Sequence, residues 1–158
     1  LKLNIAMKFS RLILVMLVLT TGFSLPIAAQ SETELQKLYI NILDQIKVNG
    51  EVDGDGDVQF SYEDRSYFLE VNENDTEFYR LVLPNIWPIE SELERLKVFK
   101  AVNEVNRKKK VAKAYVTNDD VWITVEMFID KPDNFIGSLE RQFKVINEAV
   151  KLFVDEME

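Results

Sequence analysis

The sequence contains no cysteine and no histidine. Without cysteine no disulfide can staple the fold, so its stability has to come from core packing. The same two absences remove Ser-His and Cys-His nucleophile pairs, and every zinc site built on His or Cys ligands. Glycine is scarce as well, at five residues, and no P-loop or dinucleotide-binding glycine pattern occurs, which leaves no phosphate cradle. The acids Glu90, Glu92 and Glu94 alternate by two. On a helix that spacing points them in different directions, unlike the converging acid pair of a glycosidase. The expectation is a protein that is not an enzyme and carries no cofactor.

Basic residues are in the minority, 19 Lys and Arg against 27 Asp and Glu, for a net charge of −8. Long apolar runs are lacking too. The longest, Leu12 to Leu19, follows Met7, Lys8 and Arg11 and is followed by Pro26-Ile27-Ala28-Ala29. Eight apolar residues cannot cross a membrane, which takes about 20 in a helix. A positive start, a short apolar stretch and a small-residue end form the pattern of a secretory signal peptide. Residues 1–29 are expected to be that signal, with residues 1–6 preceding the true start at Met7, and residues 30–158 a single exported domain, periplasmic or secreted. Cleavage after Ala29 would remove Lys2, Lys8 and Arg11 and no acid, leaving 16 basic and 27 acidic residues, a net charge of −11. So acidic a surface repels phosphate backbones and anionic lipid. Nucleic acid is not expected as a partner, and membrane attachment would come only from an uncleaved signal.

Periodicity sets the order of elements. Ser31 with Glu34 forms a capping box ahead of the stripe Leu35, Leu38, Tyr39, Ile42, Leu43 and Ile46, stopped by Asn49-Gly50. The period then changes to two. Val58-Phe60-Tyr62, Tyr67 to Val71 and Phe78 to Leu83 read as three strands joined by short polar turns, the third ended by Pro84. A second capping box, Ser91 with Glu94, opens a helix with the stripe Leu93, Leu96, Phe99, Val102 and Val105, closed by Arg107 to Lys110. Val111 to Thr117 and Val121 to Phe128 flank the turn residues Asn118-Asp119-Asp120, a hairpin signal. A last helix runs from about Phe135 with the stripe Ile136, Leu139, Phe143, Ile146, Val150 and Phe153. The order α-βββ-α-ββ-α predicts a two-layer α+β domain, an antiparallel five-stranded sheet packed against helices.

These elements, together with Asp53-Gly54-Asp55-Gly56-Asp57, Tyr67-Phe68-Leu69, Leu81-Val82-Leu83-Pro84 and Ala101-Val102-Asn103-Glu104-Val105-Asn106, resemble the YbjN family over residues 31–155. That family is similar in fold to type III secretion chaperones. The chaperone likeness implies an acidic homodimer that binds another protein through an extended segment. The export signal departs from those chaperones, which work in the cytoplasm.

Four segments could carry function. Asp53, Asp55 and Asp57 echo the start of a calcium loop, but no register completes one. Started at Asp53, the loop has Val58 where glycine belongs; started at Glu51, it has Tyr62 where the bidentate acid belongs. A turn whose acids serve their own backbone competes with the calcium reading. Arg107 to Lys110 is a positive cluster that could grip an anion or offset the helix dipole. Ile86-Trp87-Pro88-Ile89 is an apolar connection, either the lip of a protein-binding groove or a cover for the core end. Trp122 points outward if Val121, Ile123 and Val125 point in, and interface and core remain open for it. The leading expectation is a protein-binding module, and the alternative is a small-molecule or calcium sensor.

Overall fold

The structure, a computed structural model, describes residues 31–158. The expected signal peptide lies outside the described residues. Among the described residues, no helix is long and apolar enough to cross a membrane.

Helix α1 spans Glu32–Gln45 and starts from a complete capping box: Glu34 N–H donates to Ser31 Oγ while Ser31 N–H donates to Glu34 Oε2 at 2.9 Å. It ends before the expected Asn49-Gly50 stop. Lys47 takes the left-handed conformation (φ 60°) in place of a glycine. Lys47 N–H reaches the Asp44 carbonyl and Val48 N–H the Leu43 carbonyl, which closes a Schellman motif. The chain therefore gains room for a strand, β1 (Gly50–Val52), that periodicity did not announce. Gly50 is needed there for space, because a Cβ would stand 2.8 Å from Leu43 Cδ1 and 3.1 Å from Val58 Cγ1.

The sheet has six strands and not five, in the order β1-β2-β3-β4-β6-β5, all antiparallel. Strands β2 (Val58–Tyr62) and β3 (Arg65–Leu69) are joined by Glu63 and Asp64, both with positive φ (47° and 61°), the geometry of a type I′ hairpin turn. Strand β4 runs from Phe78 to Pro88 and passes through Pro84. The expected stop fails because Pro84 sits in a bulge: the register with β6 (Asp120–Phe128) jumps between Leu83 and Trp87, and Asn85 turns left-handed at φ 53°. No ladder bond is required of Pro84 at such a point. Strand β5 (Ala112–Thr117) pairs with β6 across a two-residue loop, Asn118-Asp119, with Asn118 at φ 53°.

Helices α2 (Glu92–Lys108) and α3 (Leu139–Met157) complete the core, α3 being led in by a 3-10 turn, Ile136–Ser138. Inward residues of the strands, Phe60, Tyr67, Leu69, Tyr79, Leu81, Ile123 and Val125 among them, form one buried cluster with the helices. Aromatic rings knit it together. Phe143 of α3 stacks on Tyr62 (4.1 Å between centroids) and tilts against Tyr67 (5.2 Å), while Phe135 stacks on Tyr79 (4.3 Å).

Helix α2 corrects the sequence expectation. Its buried residues are Val98, Ala101 and Val105, whereas Leu93, Leu96 and Phe99 are 76%, 60% and 50% exposed. The reason is geometric. A residue advances about 100° around a helix, so a strict three-residue spacing slips back about 60° per step. Leu93, Leu96, Phe99, Val102 and Val105 therefore wind around the helix and cannot share one face.

Candidate binding surfaces

The acidic loop is organised for its own backbone. Asp53 Oδ1 accepts from Asp55 N–H (2.9 Å) and Asp57 N–H (3.0 Å), and Asp53 N–H donates to the Asp57 carbonyl. Asp57 Oδ1 accepts from Val71 N–H at 2.8 Å and ties the loop to the end of β3. Gly56 turns at φ 92°, and its carbonyl accepts from Gln36 Nε2 at 2.9 Å. The structure thus brings Asp53, Asp55 and Asp57 into one turn, with two of the three carboxylates already bonded to main chain. Among the described residues no group of three or more acids is placed to hold a metal ion.

Burial raises the Asp57 pKa. The Val71 N–H opposes that shift, and the charges of Asp53, Glu70 and Asp55 add to it. A carboxyl whose folded pKa lies above its unfolded value holds its proton more tightly when folded, so its contribution to stability falls as pH rises through that window. Asp57→Asn keeps an acceptor for Val71 N–H and removes the charge. It is expected to be neutral or slightly stabilising at pH 7, whereas Asp57→Ala orphans that N–H and costs about 1–2 kcal/mol. Urea melts of the two variants at pH 7 check the contrast.

The apolar connection packs inward. Ile89 is buried, and Ile86 and Trp87 lie partly buried against the core cluster. The Trp87 ring meets Phe153 edge-on at 5.8 Å, and its Nε1–H donates to Glu94 Oε1 at 2.9 Å. Glu94 was expected to close a second capping box. Ser91 Oγ does accept from Glu94 N–H at 3.2 Å, but the Glu94 carboxylate reaches past the cap to Glu90 N–H (2.7 Å) and the Trp87 indole. Those two bonds, the backbone one first, hold the Glu94 carboxyl below its ordinary pKa.

Trp122 lies on the sheet face that carries no helix. Its Nε1–H donates to Asn85 Oδ1 at 3.0 Å, and its ring meets Phe68 edge-on at 5.7 Å with Tyr115 6.2 Å away. Beside it Arg80 binds Glu70 Oε2 and Tyr115 Oη, both at 2.6 Å. Arg80 Nε stands 3.3 Å from Glu126 Oε1 in an ion pair without hydrogen-bond alignment. Glu126 also accepts from Thr124 Oγ1 (3.0 Å) and Lys113 Nζ (3.2 Å). This face is an aromatic patch bordered by a charge network that is already neutralised. At its far end Phe128 is 84% exposed.

The outer side of α2 was missed as a surface because its residues were assigned to the core. Leu96 and Phe99 stand on it beside Glu92, Lys100, Asn103 and Arg107, all exposed, with Leu93 at its margin.

The model of the YbjN family, described as "Putative bacterial sensory transduction regulator", matches residues 40–158. The chain belongs to the YbjN family. A search of curated proteins gives no match. Among solved structures, a protein from Methanothermobacter thermautotrophicus is similar with a TM-score of 0.50 at 12% identity, covering 78% of this chain and 99% of that one. YbjN from E. coli is similar with a TM-score of 0.53 at 10% identity, covering 76% and 90%. The Yersinia pestis type III secretion chaperone SycH, crystallised with a stable fragment of YscM2, is similar with a TM-score of 0.47 at 16% identity, covering 75% and 98%. YbjN family membership and the two likenesses at 0.50 and above agree with the α+β fold, an antiparallel sheet with three helices to one side.

Proposed function

We propose that the chain is a non-enzymatic protein-binding module, exported from the cytoplasm and working as a homodimer. The observation that carries this reading is the apolar outer side of α2. Leu96 and Phe99 stand side by side there, at least half exposed and with Leu93 at the margin, and neighbouring large apolar side chains on one surface mark an interaction site. A second copy is the occupant that the charges favour. Glu92 stands in the first turn beside Arg95, and Arg107 in the last beside Glu104, so two α2 helices related by a two-fold axis perpendicular to them would run antiparallel and bring each Glu92 near the other copy's Arg107. Their dipoles would oppose favourably as well.

Such a pair leaves the helix-free sheet face around Trp122 and the edge of β5 for another polypeptide. An edge strand suits an extended segment that adds to the sheet. Light scattering over a concentration series tests the pairing, with twice the chain mass expected at tens of micromolar. A mass that stays at one chain throughout would contradict it.

A further inference from the structure

Four of the chain's basic side chains gather around one opening. Lys108, Lys109, Lys110 and Arg141 line a half-open cavity of about 540 Å³, where the end of α2 meets the start of β5, strand β6 and the first turns of α3. Its apolar part is supplied by Val125, Met127 and Val145, with Val111 at one side. That volume lies within the range of small-molecule sites, which combine apolar walls with a few polar groups.

The charges at this mouth are not all spent. Lys108 is held by Glu104 and Glu156, and Lys109 by Glu148, the acid that also lines the cavity. Lys110 and Arg141 have no carboxylate within ion-pair distance among the described residues. A protein with net charge −8 thus keeps two free cations above an apolar floor. Gln142, 3% exposed, stands in the wall. Its Nε2 donates to Ser138 Oγ (2.9 Å) and the Phe135 carbonyl (3.4 Å), which leaves Oε1 buried without a donor.

We infer that this cavity binds a small organic anion with an apolar tail, a medium-chain carboxylate. Lys110 and Arg141 receive the carboxylate, and the tail lies along Met127 and Val145, above the buried Val125. A phosphate or a sugar acid would offer the charge but nothing for the floor. A cationic amphiphile would meet repulsion at the mouth. The inference stands apart from the pairing of α2, so a variant that fails to pair is expected to bind the same ligand.

Calorimetry of the full chain with decanoate, below its micellar concentration, tests the site. One decanoate per chain is expected, with decyltrimethylammonium showing no binding. Lys110→Glu with Arg141→Glu, both exposed positions, should weaken decanoate at least tenfold at unchanged thermal stability. Val145→Trp, which fills the floor, should abolish binding. Absence of decanoate binding to the unmodified chain would overturn the inference, as would binding that the charge reversal leaves intact or equal binding of the cation.

Discussion

Replacing Leu96 and Phe99 together with glutamate is expected to weaken self-association at least a hundredfold and leave the fold intact. Both side chains are more than half or half exposed, so folding gains little from them. Surface substitutions of that kind stay within about 0.5 kcal/mol of neutral. At the centre of a protein interface, in contrast, an apolar anchor is worth about 2 kcal/mol or more, and two of them exceed the roughly 2.8 kcal/mol that a hundredfold represents. Two added carboxylates facing their own copies across a two-fold axis add repulsion. Sedimentation velocity reads the first effect and a thermal melt the second. A pair of variants separates charge from contact: Leu96→Ala with Phe99→Ala removes the apolar anchors without adding charge and should weaken pairing less than the glutamates do.

Phe143→Ala is expected to be a strongly damaging core change, costing about 3–5 kcal/mol. Phe143 is buried where α3 crosses β2 and β3, stacked on Tyr62 and packed on Tyr67 and Phe60. Truncation leaves a cavity among three rings, and the rings lose their edge and face contacts at the same time. With a total stability of about 5–15 kcal/mol for a domain of this kind, and no disulfide to hold the chain together, the variant should unfold at a urea midpoint far below that of the parent. Phe143→Leu fills most of the space and should cost less than half as much. Chemical denaturation followed by tyrosine and tryptophan fluorescence checks both.

The contrast between these two positions explains what the sequence could and could not disclose. Phe143 sits in a stripe that mixes three- and four-residue steps, Leu139, Phe143, Ile146, Val150 and Phe153, and all five are buried. Mixed steps track one face, so that helix was legible. Leu93, Leu96 and Phe99 step by three throughout, and the apparent stripe dissolves once laid on a helix of 3.6 residues per turn. Strand β1 escaped notice for another reason: three residues, Gly50-Glu51-Val52, carry no period, and their pairing depends on the turn from Asp53 to Asp57. Pro84 misled because its missing N–H bars it only from a regular ladder, and a bulge removes that bar.

The surfaces were legible to a similar degree. Alternation set Trp122 opposite Val121, Ile123 and Val125 but left open whether it faced outward or served the core, because the period alone does not say which face the helices cover. The bond from Trp87 to Glu94 was not foreseeable, since Glu94 had an obvious use in a capping box. The basic run from Arg107 to Lys110 was visible as a charge cluster, but Arg141 joins it only through the approach of α3 to β6, a contact between elements far apart in sequence.

The absence of cysteine gives a direct test of the central claim, that two copies pair through the outer side of α2. Lys100→Cys introduces a single thiol near the middle of that surface, close to the point where an antiparallel two-fold axis would cross. Lys37→Cys, exposed on α1, serves as control. Under mild oxidation the Lys100→Cys chain should convert almost wholly to a covalent dimer at micromolar concentration, and the control should not. Equal, slow cross-linking of both variants would contradict the account.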